Sequence, residues 1–229
     1  LRLDKAFDSR VNYLSHSVLA AEASDDPLFA LGSMLPDLAN MARHRLPSLL
    51  HPALAAGVAF HERTDSVFHQ CPSFVELNHE ASKRLLELGV SRGPARATAH
   101  IGTEMLIDAT FAENEGALRG YLAALHAGSS NESVWAPLDP VTAREFRRLL
   151  EHLERGGSAI HHASKSRFVT RLAHALAGRP RLEPTSEELT VLAEFCEAYL
   201  SAVRGKMPRL LYELRSRLFS NSNETSPRS

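Results

Sequence analysis

The chain has 229 residues, 44% hydrophobic and 23% charged, with a formal net charge of −1. That size and balance suit one large globular domain, and a charge so near zero excludes a global field drawing the protein to nucleic acid or membrane. Leu and Ala outnumber Val and Ile, which favours an all-α fold.

Residues 1–10 are charged and expected to be a loose extension. The apolar positions Leu14, Val18, Leu19 and Ala21 predict a short helix from Asn12 to Ala23. Asp25-Asp26-Pro27 reads as an acidic cap with proline in the first turn, opening a helix through Leu31 and Met34 that stops near Pro36. Residues 37–50 read as a loop or broken helix, with Arg43, His44 and Arg45 exposed. After Pro52 an apolar stripe of Leu54, Val58, Phe60, Val67 and Phe68 predicts a helix toward Pro72. A second amphipathic helix covers Ser73 to Leu88 and ends at Gly89, and a third covers Ser91 to Phe111. Gly116–Leu125, Pro140–Leu153, Ser158–Leu176 and Ser186–Leu218 complete the helices, with Gly128–Ser133 as a polar loop and Gly205 and Pro208 as candidate breaks. The polar stretch 220–229 is expected to be a disordered tail, leaving 11–219 as a single all-α metal-binding domain.

Cys71 and Cys196 form no CxxC pair, which fits free thiols in a reducing compartment and a cytoplasmic location. No apolar run reaches about 18 residues, so no membrane span is expected, and no signal peptide is visible. The chain starts at Leu1 rather than Met, which leaves its true start open.

Twelve histidines are a surplus that hints at metal or proton chemistry. Two trios stand out at i, i+4, i+8: His61, Asp65 and His69, then His100, Glu104 and Asp108. An α-helix turns about 100° per residue, so each trio drifts by only about 40° per step along one face. Neighbouring members lie about 6 Å apart and can meet one ion, whereas the outer members lie about 12 Å apart. Each helix can therefore give one pair to an ion, and its third member to a second ion, a substrate or a supporting hydrogen bond. Apolar neighbours such as Phe60, Val67, Ile101 and Met105 place both trios on faces where polar groups need partners. His61, Asp65, Glu104 and Asp108 are expected to converge on one point, joined by His16 and Asp37 from the N-terminal segment.

Four segments carry a family resemblance: Asn12-Tyr13-Leu14-Ser15-His16, Gly32-Ser33-Met34-Leu35-Pro36-Asp37, Gly57-Val58-Ala59-Phe60-His61-Glu62-Arg63-Thr64-Asp65 and Glu104-Met105-Leu106-Ile107-Asp108. In order and approximate spacing, over about residues 11–112, they resemble the acyl carrier protein phosphodiesterases. That family looks like a helical relative of the His-Asp metal phosphohydrolases. The resemblance implies a divalent metal, usually manganese, and release of 4′-phosphopantetheine from holo acyl carrier protein. It places metal ligands at His16, Asp37, His61, Asp65, Glu104 and Asp108; His100 has no counterpart but shares their helix face. Iron, zinc or magnesium would suit the same donors. The chain departs from the family at Glu62, where arginine is usual, at His69-Gln70-Cys71-Pro72 and at Ala109.

On this reading Asp65 or Glu104 orients a metal-bound water or accepts its proton, and Arg63, Arg92 or Arg96 clamps the phosphate. The rivals are another phosphatase or phospholipase-like hydrolase, and a non-catalytic helical metal-binding protein. An acidic partner such as acyl carrier protein is expected to dock on the last helix, where Arg204, Lys206, Arg209, Arg215 and Arg217 oppose the lone acid Glu213 between Arg204 and Leu218.

Overall fold

A computed structural model describes residues 13–42, 44–47, 50–157 and 164–219. The expected loose extension 1–10, the tail 220–229, Arg43 and the start of the helix expected from Ser158 lie outside them. The described residues are all-α, with no strand among them.

The N-terminal layer is α1 (Tyr13–Ala23), α2 (Pro27–Met41) and α3 (Pro52–Phe68). Asp26 caps α2 as its sequence predicts, its carboxylate accepting from the Leu28 amide at 2.9 Å. The helix does not stop at Pro36 but runs on to Met41, which puts Asp37 inside it. A proline within a helix forfeits one backbone hydrogen bond. Here tertiary packing outweighs that loss. Gly32 and Gly57 let α2 and α3 touch backbone to backbone: a Cβ at Gly57 would collide with the Phe29 carbonyl and lie 2.7 Å from the Gly32 Cα. Leu31, Met34, Leu35 and Leu38 are buried along the same helix.

The next run comprises α4 (Pro72–Glu87), α5 (Arg92–Ala97), a π-helical turn (Thr98–Gly102) and α6 (Thr103–Ala112). Gly89, at φ 86°, ends the α4 region in the left-handed conformation that glycine adopts without strain. The expected helix from Ser91 to Phe111 forms, but the π turn adds a residue to its register at His100. The chain then builds α7 (Glu115–Ser129), a 3₁₀ turn (Glu132–Trp135), α8 (Pro140–Gly156) and α9 (Lys165–Leu176). The long α10 (Ser186–Phe219) passes through Gly205 and Pro208 unbroken. It packs on α3, α4, α6 and α9, while α2 packs on α1, α3 and α7. Burying its Leu192, Phe195, Tyr199, Val203, Leu210 and Leu214 face offsets the cost of the proline.

Both cysteines are buried free thiols. Among the described residues no helix is long and apolar enough to cross a membrane.

Candidate metal centre

The two sequence trios do not close on one point. Their members, with His16 and Asp37, form two groups: His16, Asp37 and His61, and His69, His100 and Glu104. Within each group one ligand atom per residue lies within 4.8 Å of the others. Two donors on one ion at bonds near 2.1 Å stand at most about 4.2 Å apart, so small side-chain rotations would close either group on a cation.

The first group draws one residue each from α1, α2 and α3, whose close packing sets its geometry. His16 is 3% exposed, and its ring centroid lies 4.1 Å from that of His61. The His61 Nδ1 lies 2.8 Å from the Ser33 carbonyl, which can only accept, so Nδ1 carries the proton. Thr64 donates its hydroxyl to the His61 carbonyl at 2.9 Å, so its oxygen accepts from the His16 Nδ1, also at 2.9 Å. Both imidazoles thus keep Nε2 as a lone-pair donor, the arrangement that orients metal-binding histidines. Burial, helped by His61, pushes the His16 pKa down to about 3, so its ring is neutral. Two imidazoles oriented through Nδ1 and a carboxylate are a donor set that fits a divalent ion.

The second group is more open. His69 caps the C-terminal end of α3, His100 lies in the π turn, and Glu104 lies in the first turn of α6. The His69 and His100 rings stack at 5.0 Å, and Phe74 meets both edge-on. His69 Nδ1 donates to the Asp65 carbonyl at 3.0 Å and faces its carboxylate at 3.4 Å, while Nε2 faces Glu104 at 3.1 Å. Hydrogen bonding to Asp65 and then Glu104 pushes the His69 pKa up to about 10. In turn His69 holds the Asp65 carboxyl below its ordinary range. Asp65 is also coupled electrostatically to His16 and His61, which places it between the groups. His69 completes the outer group although the metal positions implied by the family resemblance omit it; its signal was the i, i+4, i+8 trio.

Three sequence assignments are corrected. Asp65, expected as a metal ligand, belongs to neither group. Asp108 lies outside both groups. Its fully buried carboxylate accepts from the amides of Leu14 at 3.1 Å and Ser15 at 2.8 Å and from the Ser15 hydroxyl, so it fastens the start of α1. Two helical turns separate it from His100. Burial pushes its pKa up to about 7 against those donors and the charge of Arg171. Arg63 is also elsewhere: its guanidinium donates to the Leu218 carbonyl near the end of α10. Arg92 and Arg96 line a cleft that includes His100.

The basic face expected on α10 is internally matched. Arg204 pairs with Glu113, Lys206 with Glu76 at 2.9 Å, Arg209 with Glu213 at 2.9 Å and Arg215 with Glu22 at 2.6 Å. Arg217 donates to the Gln70 carbonyl at 3.0 Å. Counting charges along one helix misses acids supplied by its neighbours. Comparison with known proteins finds no match to a family model, a curated protein or a solved structure.

Proposed function

We propose that this chain is a metal-dependent phosphoric ester hydrolase, with His16, Asp37 and His61 as holders of the divalent ion. The observation that carries this reading is their convergence from three helices, with both histidines fixed by Nδ1 hydrogen bonds that leave Nε2 to coordinate. The outer group is a second ion position once His69 gives up its proton. The open side of that group, where the His100 side chain is 48% exposed, favours a substrate-accepting site over a closed structural one.

A divalent ion bound there would lower the pKa of a coordinated water and take up charge on the phosphoryl oxygens. Asp65, half-exposed and kept ionised by His69, accepts the proton of the attacking water. His69 is a positioning residue for that carboxylate, and Phe74 walls the approach on the apolar side. Manganese is the ion that the family resemblance suggests, with iron, zinc and magnesium as alternatives. The narrower activity, release of 4′-phosphopantetheine from holo acyl carrier protein, rests on the sequence motifs alone. Its expected docking face on α10 lends it no support.

The test is hydrolysis of bis(p-nitrophenyl) phosphate and of holo acyl carrier protein by chelator-stripped protein resupplied with each metal. Hydrolysis should require metal and fall by at least about 100-fold in His61→Ala. Activity that survives either chelation or that substitution refutes the assignment.

A further inference from the structure

A cleft of about 860 Å³ opens beside the outer group, and four arginines line it: Arg92 and Arg96 from α5, and Arg179 and Arg181 from the α9–α10 connection. No carboxylate is among its lining residues, and no ion pair among the described residues engages any of the four guanidinium groups. That distinguishes them from the cations of α10, which their neighbours neutralise. Exposed guanidinium groups gathered round one hollow with no carboxylate in its lining raise the local positive potential, which favours an anion there.

The cleft is built into the fold. Gly93 lies against the Arg181 backbone so closely that a Cβ there would run into the Arg181 carbonyl. The connection is itself turned back, with the Arg179 carbonyl accepting from the amides of Leu182 at 2.7 Å and Glu183 at 3.0 Å. These contacts carry Arg179 and Arg181 to the face that holds Arg92 and Arg96. A second hollow, about 520 Å³, is lined by His69, Phe74 and Val75 and shares Asn78 and His100 with the arginine cleft. The two adjoin at Asn78 and His100, so one elongated ligand reaching across those residues would touch the metal-type group at one end and the arginines at the other.

We infer that the cleft binds the distal phosphates of a small polyanionic substrate, one carrying at least two phosphate groups. The reasons are its concave, ligand-sized volume, its four guanidinium forks suited to bidentate phosphate contacts, and its junction with the outer group. The assignment of the other end to a scissile phosphoester rests on the hydrolase reading; the binding of a polyanion does not.

The probe is inorganic tripolyphosphate, titrated calorimetrically into the full chain after chelator treatment. Binding at one site per chain is expected, weakened at least about tenfold in Arg92→Gln/Arg181→Gln. It should be unchanged in Arg144→Gln/Arg155→Gln, which removes the same charge from α8. Gly93→Ala keeps all four guanidiniums and should also weaken binding by displacing the connection. Absence of binding at low salt, equal loss in both double variants, or capture of holo acyl carrier protein or an oligonucleotide in place of tripolyphosphate overturns the inference. Tripolyphosphate binding in a protein that never takes up metal would sink the hydrolase reading and leave the cleft assignment standing. Metal-dependent hydrolysis with tripolyphosphate binding indifferent to Arg92 and Arg181 would do the reverse.

Discussion

The His16–Asp37–His61 group and the His69–His100–Glu104 group use similar side chains in opposite surroundings. The first lies among helices that meet through glycine, with His16 stripped of water and neutral. The second lies at a helix end and a π turn, and two carboxylates hold a charged imidazolium between them. Burial removes the proton from one histidine and carboxylates fix it on the other, so the same residue type becomes a ready ligand in one place and a proton-blocked one in the other. The buried group is suited to keep an ion, and the open group to meet a substrate.

The largest expected effect comes from prising the buried group apart. Gly57→Ala should lose both metal and stability, by about 3 kcal/mol or more, because the new methyl must displace the α2 backbone. Calorimetric unfolding checks this, and a variant as stable as wild type would show that the α2–α3 contact does not set the group. Asp108→Ala should cost about 1–3 kcal/mol by leaving the Leu14 and Ser15 amides without their acceptor. It should weaken the buried group, through His16 on α1, more than the outer one. Equal weakening of both would deny that Asp108 acts through α1.

Acidity should separate the groups by a smaller margin. His69 must release a proton to take an ion, so the outer group should lose about tenfold in metal affinity for each unit of acidification between pH 9 and 7. His16, pushed down to about 3, has no proton to lose over that range, so the buried group should vary less. Metal titrations at several pH values measure both slopes. Parallel slopes would erase the distinction.

The helices were legible in the sequence because apolar periodicity and capping residues such as Asp26 are local signals, and helical spacing picked out most residues that the fold gathers into the two groups. The boundary at Pro36 was misread because the Gly32–Gly57 contact that sustains α2 is made with another helix. The convergence of Asp108 with His61 was misread because the Leu14 and Ser15 amides that hold its carboxylate belong to another helix. Arg63 looked like a phosphate clamp because nothing near it in the chain reveals the Leu218 carbonyl it meets. Arg179 and Arg181 escaped notice because they reach Arg92 and Arg96 only through the fold.

The central claim is that the buried group holds the ion on which hydrolysis depends, and Asp37→Ala tests it most directly. Folded variant and wild type, each equilibrated with manganese and freed of excess, should differ by one bound ion per chain on elemental analysis, with His100→Ala retaining that ion. Metal content unchanged in a folded Asp37→Ala protein would contradict the account.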